Sequence, residues 1–264
     1  MRLPPNDRTE QSLNNLVSLS LSVPHPNILS LYGWVRKGTD MVGLVTERVL
    51  GVLSDVVDTL HSYRDRVETA LDVSAALCHL HNRGIVLGDL SPHTFFVTEA
   101  GQTKLGNLRS TSDYMARTER EREREREMAS MSRPRGMRDT RAEQSSTAER
   151  EREMGLGYLA GDPSYLAPEM VIGGERPSKA SDLFGLGSLL FLIGAGSPAF
   201  PANAYLSHIL SALKHRHLPS TASLPPYFSD IVVHLWSERP EERGSGKGVC
   251  RYWREVVARI EAGE

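Results

Sequence analysis

The run from Ser181 to Ile193, Ser-Asp-Leu-Phe-Gly-Leu-Gly-Ser-Leu-Leu-Phe-Leu-Ile, has no polar face. A helix that is apolar on nearly all sides has to lie inside a helical layer, covered by other elements. Its apolar part, Leu183 to Ala195, is interrupted by glycines and a serine and is shorter than the roughly 20 residues needed to cross a bilayer. The chain must therefore fold around this segment as an inner helix. With 264 residues, 39% of them hydrophobic, it can bury one large core or two small lobes. A net charge of −2 gives no electrostatic case for nucleic acid. The first residues lack the apolar stretch of a signal peptide, so a cytoplasmic protein without membrane contact is expected. Cys78 and Cys250 stand far apart with no metal-ligand spacing and read as reduced, buried thiols.

The elements that could cover this helix are legible on both sides. Leu13, Leu16, Val17, Leu19, Leu21 and Val23 form a stripe that reads as helix, stopped by Pro24-His25-Pro26-Asn27. Alternating apolar runs, Ile28 to Val35 and Met41 to Val49, flank a turn at 36–40 and read as a strand hairpin. From Arg66 the period changes, and Ala70, Leu71, Ser74, Leu77, Cys78 and His81 fall on a helical face ended by Asn82-Arg83-Gly84. Phe95 to Thr98 and Thr103 to Leu105 form a second hairpin. Residues 109–154 hold almost no large apolar side chains and carry two Glu/Arg runs; they cannot offset their ordering entropy by burial and read as a disordered insert. Three helical patches follow the buried helix, at Tyr205 to Leu213, Ser229 to Trp236 and Cys250 to Ile260. Strands early and helices late predict an α+β protein.

One stretch presents a single acid at the lip of a core. Asp89 lies between the apolar Ile85-Val86-Leu87 and Phe95-Phe96-Val97, so it is either a catalytic acid or base or a turn cap ahead of Leu-Ser-Pro. Asp55 is likewise open between a ribose contact and a helix cap. His79 and His81 are two apart on a helix and do not share a face, which argues against a metal pair, and His93 reads as a turn residue. Gly244-Ser245-Gly246-Lys247-Gly248 lacks the spacing of a phosphate loop and reads as a turn.

The order of these pieces resembles a protein kinase domain of the serine/threonine or tyrosine-kinase-like type. His25-Pro26-Asn27-Ile28-Leu29 resembles the link after that family's regulatory helix, and Leu44-Val45-Thr46-Glu47 resembles its fifth strand entering the hinge. Leu87-Gly88-Asp89-Leu90 is similar to the His-Arg-Asp-Leu catalytic loop, and Ala167-Pro168-Glu169 to the Ala-Pro-Glu motif. Ser181-Asp182-Leu183-Phe184-Gly185 is similar to the family's buried helix, and Trp236 through Pro240 to Arg243 to its late helix pair. The resemblance covers roughly residues 13–260. It implies a kinase-like fold, with residues 1–49 as a partial N-terminal lobe and 50–108 as the first part of the C-terminal lobe. The charged insert at 109–154 then falls in the activation segment, and 155–264 completes the C-terminal lobe. It also implies ATP and Mg²⁺ as cofactors, Asp89 in the base position, and Thr46, Glu47, Val49 and Phe96 at the hinge and adenine site. Glu169 and Arg243 are implied to form a buried ion pair, and Asp182 to accept from the backbone near Leu87 and Gly88.

The same comparison exposes losses. Phosphoryl transfer rests on metal ions, a lysine on the phosphates and a base. Eighteen residues after Asp89, where the family has its metal-binding Asp, stands Asn107, a poor ligand for a hard cation. Thr94 replaces the second metal ligand, Ser91 the catalytic-loop lysine and Gly88 the loop arginine. Leu16 stands where the regulatory-helix glutamate belongs, and the chain begins almost at that helix, so a truncated N-terminal lobe is expected. Asp162 replaces a threonine facing the base, and Phe96 is bulkier than the residue expected beneath adenine. Leu87 and Leu108 keep apolar packing positions. The resulting expectation is a pseudokinase that binds protein partners, an active kinase among them, in signalling regulation or scaffolding. The alternatives are an active serine/threonine-type kinase whose upstream lobe is missing from this sequence, and an interaction protein that uses the charged insert.

Overall fold

A computed structural model describes residues 22–38, 40–106, 162–201, 204–215 and 217–263. Leu16, Asn107, Leu108 and the insert at 109–154 lie outside the described residues. In chain order the first strands are β1 (Leu31–Lys37) and β2 (Asp40–Thr46), an antiparallel hairpin. The sequence pattern began the first strand at Ile28. That residue instead makes a single parallel bridge to Leu105, because the link from Pro24 is held across the sheet that follows. β3 (Val49–Val52) turns into a single-turn helix, α1 (Leu53–Val56), and after a 3₁₀ turn comes α2 (Tyr63–Asn82).

α2 starts three residues earlier than its apolar period suggests, because Ser62 caps it. The Ser62 hydroxyl accepts from Asp65 N–H while the Asp65 carboxylate accepts from Ser62 N–H, closing a capping box. At the other end Gly84, at φ +75°, lets the chain reverse and Ile85 N–H bond Leu80 O. β4 (Phe95–Thr98) and β5 (Thr103–Leu105) form the expected hairpin, with Phe95 paired to Leu105 and Val97 to Thr103, around Gly101 at φ +79°. β3 lies on the outer side of β4, giving a three-stranded sheet β3-β4-β5. Val49, assigned above to the first lobe, thus belongs to the sheet that carries the loop exit.

The second half is helical: α3 (Pro168–Val171), α4 (Lys179–Ala195), α5 (Leu206–His215), α6 (Phe228–Leu235) and α7 (Gly246–Ala262). α4 is the inner helix, with every residue from Ser181 to Gly194 buried. Its motif glycines have a packing reason. A Cβ on Gly185 would sit 2.8 Å from Tyr165 O, and one on Gly187 2.9 Å from the Trp236 ring. Trp236 stacks on Phe191 at 5.5 Å between centroids and donates Nε1–H to Ser188 Oγ at 3.2 Å. The α+β reading therefore holds, with the strands ahead of the helices. Cys78 and Cys250, distant in sequence, are buried free thiols in one small cluster between α2 and α7. No helix among the described residues is long and apolar enough to cross a membrane.

Candidate active site

The site is built on the backbone before Asp89, and that backbone is fixed from below by α4. Asp182 accepts from Leu87 N–H at 2.8 Å with one carboxylate oxygen and from Gly88 N–H at 2.8 Å with the other. His81 Nε2 lies 2.9 Å from the first of these, and both side chains are almost fully buried. A buried carboxylate with three partners is stable where an unpaired one would not be. His81 therefore faces α4 while His79 does not, as their two-residue spacing on the helix requires.

A second anchor ties the segment after the insert to the C-terminal helices. Arg243, fully buried, donates to both Glu169 oxygens at 2.6 and 2.8 Å. Its remaining donors reach Ser237 O at 2.8 Å and Ala180 O at 3.0 Å, and its guanidinium lies 5.1 Å from the Phe184 ring centroid. Such a fork meets a carboxylate in plane and leaves few donors unpaired.

Beyond Asp89 the arrangement changes. Thr94, buried in the 3₁₀ turn Pro92–Thr94, donates its hydroxyl to Ser91 O at 2.7 Å and accepts from Ser91 N–H at 3.4 Å. The side chain that the resemblance set at the second metal position is thus closed on its own turn. Gly88 has φ +77°, and a Cβ there would meet Pro177 at 3.3 Å, so this backbone favours the glycine found. The Phe96 ring lies over Gly106, where a Cβ would come within 2.5 Å of its Cδ2 and 2.8 Å of Leu29 Cδ2. The two aliphatic and aromatic groups close over the end of β5. A neutral hydroxyl already bonded within its own turn is a poor oxygen ligand for a hard cation, and Thr94 does not fit Mg²⁺.

Between β2 and β3 the Thr46 hydroxyl donates to Glu47 O at 3.0 Å, and Val49 pairs with Thr98. The Glu47 carboxylate accepts from Lys104 Nζ at 2.9 and 2.8 Å and from Ser30 N–H at 2.8 Å. Burial pushes this carboxyl's pKa up, but the Lys104 and Ser30 hydrogen bonds and the Lys104 charge outweigh it and the net direction is down. Lys104 was not singled out by sequence. The only signal was a cation in the middle of the short strand Thr103–Leu105.

Asp162 caps the turn Pro163–Tyr165 by accepting from Ser164 N–H at 2.9 Å. It borders a cavity of about 610 Å³ that also touches Asp58, His93, Tyr165 and Phe200. Burial, followed by the nearby Asp162 charge, pushes the Tyr165 hydroxyl's pKa far up. Asp55 is neither a cap nor free of its neighbours: the N-cap of α1 is Val52, with no side-chain bond, and Asp55 accepts from Ser54 Oγ at 3.2 Å. Ser54 Oγ also lies 3.1 Å from His93 Nδ1. The glycine-rich run at 244–248 is the start of α7, capped by Ser245 Oγ on Gly248 N–H.

No family model matches the chain. Individual proteins do. It is 25% identical over 243 residues to serine/threonine-protein kinase RUNKEL of Arabidopsis thaliana, covering 89% of this chain and 15% of that protein. It is 26% identical over 269 residues to serine/threonine-protein kinase ULK4 of Mus musculus, covering 95% of this chain and 19% of that one. To an Aurora kinase of Schizosaccharomyces pombe it is 23% identical over 247 residues, 93% of this chain and 59% of the relative. The chain thus spans between 15% and 59% of the length of these curated relatives. These likenesses run the length of a fold in which Asp182 fixes the loop of Asp89 and Arg243 holds Glu169, and over that length the chain is similar to serine/threonine protein kinases.

Proposed function

We propose that this kinase-like domain is a pseudokinase, acting by binding protein partners in signalling regulation or scaffolding, with phosphoryl transfer lost or strongly impaired. The observation that carries the reading is the fate of Thr94, whose hydroxyl is engaged by Ser91 within its own turn at the position where the family holds a metal ion. Asn107 at the other metal position, Ser91 for the lysine and Gly88 for the arginine support it from the sequence. Phosphoryl transfer is electrostatic work, and these changes remove the charges that perform it. Phe96, bulkier than the residue that the family resemblance places beneath adenine and packed against Gly106, supports the reading as well.

A second reading, an active serine/threonine-type kinase, draws on the retained Asp89 and on the full anchorage of its loop by Asp182. The relatives' names as serine/threonine-protein kinases favour it too. One experiment separates the two. Melting temperature is followed with ATP alone and with Mg²⁺ or Mn²⁺, alongside phosphate transfer to a generic protein substrate. The pseudokinase reading expects no metal-dependent rise in melting temperature and no transfer. Transfer that disappears in Asp89→Asn establishes the active kinase instead.

A further inference from the structure

The link from Pro24 to Asn27 is held against α2 by a pair of imidazoles. His25 and His79 have ring centroids 4.4 Å apart, tilted by 38°. Each ring accepts through Nδ1: His25 from Asn27 N–H at 3.1 Å, His79 from the Arg83 guanidinium at 3.0 Å. A backbone amide and a guanidinium are donors only, so both Nδ1 atoms present bare lone pairs and both rings are neutral with the hydrogen on Nε2. His79 Nε2 is buried and meets no hydrogen-bond partner of good geometry. The one place where either ring can take up a proton is therefore the atom that makes its structural bond. A protonated Nδ1 would set donor against donor, in a contact that also holds the two tilted rings 4.4 Å apart.

The charged neighbours work in the same direction. Arg83, at the C-cap of α2, lies beside both rings, and Arg254 on α7 acts on His25. The nearest carboxylate tied to the link is Asp72 on α2, which accepts from Asn27 Nδ2 at 2.6 Å and from Thr103 N–H at 2.8 Å. Burial, and after it these cations, hold the pKa of His25 below the ordinary 6.5; for His79 the causes are burial, then His25 and Arg83, against a smaller opposing effect of the Val23 backbone. A lowered value in the held state means that the released state binds more protons as pH falls through 6.5 and below. The contact is complete above that range and is lost beneath it.

We propose that the His25–His79 contact is a proton-operated latch: with both rings neutral it pins the Pro24–Asn27 link to α2, and protonation of either ring releases it. The link is the route by which the β1–β2 hairpin is attached to the rest. Asn27 O accepts from Leu105 N–H at 2.9 Å, Leu29 N–H donates to Leu105 O at 2.8 Å, and Ser30 N–H meets Glu47 at the hinge. A cavity of about 490 Å³ lined by Pro24, His25, Pro26 and Ile28 to Leu31 adjoins the link. The latch is independent of whether the site transfers phosphate, because none of its groups belongs to that site.

The test is amide hydrogen exchange of the full chain at Asn27 to Ser30 between pH 8 and 5.5, corrected for the intrinsic effect of pH on exchange. An NMR titration of the histidine ring protons accompanies it. The expected result is an opening constant that rises by about tenfold per pH unit once one proton separates the two states. Protection in α4 stays unchanged, and the two rings titrate below 6.5. In the double variant His25→Asn, His79→Asn a side-chain oxygen replaces each Nδ1 acceptor without a titrating proton, and the rise disappears. A double variant that keeps the wild-type profile assigns the effect to Asp72 and overturns the latch. Exchange that is flat with pH in the wild type overturns it as well, as do rings that titrate at 6.5 or above; these wild-type readings stand even if the variant fails to fold.

Discussion

The backbone on the two sides of Asp89 is held in opposite ways. Before it, Leu87 and Gly88 are bonded from outside, by a carboxylate that reaches up from the innermost helix and is itself braced by His81. After it, Ser91 and Thr94 bond one another, and Phe96 folds over Gly106. The first region keeps residues whose work is to hold backbone in place. The second is held by bonds and contacts within its own turn and strand. Loop position on one side thus rests on a side chain distant in sequence, and on the other on neighbours three residues apart.

The strongest way to break this comparison is to show that the anchorage is not an anchor. Arg243→Ala would leave the Glu169 carboxylate without its fork and strip donors from Ser237 O and Ala180 O. Breaking a buried pair by removing one member costs about 3–5 kcal/mol. That is a large share of the roughly 5–15 kcal/mol by which domains are stable. The expected outcome in urea unfolding is a sharply lowered midpoint, or an unfolded protein. A loss under about 1 kcal/mol would place the pair with exposed salt bridges and remove the contrast.

The two regions also differed in how far they could be read from sequence. Asp182, Glu169 and Arg243 stand in motifs whose order is itself the signal, and their bonds to the loop and to one another follow from that order. Helix α4 was legible for a simpler reason: no face of Ser181 to Ile193 can meet water. The pairing of β4 with β5 was legible from period and turn. The partners that sequence did not give are long-range and polar. Lys104 with Glu47, and His25 with His79, are single residues brought together by the path of the chain, 57 and 54 positions apart, with no periodic pattern to announce them. Cys78 and Cys250 met for the same reason. Thr94 could be named as a departure, but its closure on Ser91 O depended on a 3₁₀ turn that Pro92 starts and that no single residue type specifies.

A variant of intermediate effect sharpens the comparison at the closed side. Gly106→Ala places a Cβ 2.5 Å from Phe96 Cδ2 and 2.8 Å from Leu29 Cδ2, so one or both side chains must shift. Overpacking of this kind costs about 1–3 kcal/mol. If the Phe96 ring is what occupies the space, Phe96→Leu in the same chain should restore most of the loss, and a double-mutant cycle measures the coupling. Additive losses would mean that Leu29, not Phe96, closes the end of β5.

The smallest effect is expected where the two regions meet. Gly88→Arg restores the residue type that the family resemblance places before the base, and so asks whether the lost charge can simply be returned. The backbone there is at φ +77°, and the new Cβ would press on Pro177 at 3.3 Å. The left-handed conformation costs an L-residue roughly 1–2 kcal/mol. Leu87 and Gly88 N–H would still be held by Asp182, so the loop has no freedom to relax the strain. The expected result is a modest fall in melting temperature with no gain of phosphate transfer, since the arginine adds neither a metal ligand at Thr94 nor space beneath Phe96. A variant that is as stable as the parent would show instead that the backbone at residue 88 can leave the left-handed region, and that the grip of Asp182 on the loop is looser than its two bonds of 2.8 Å imply.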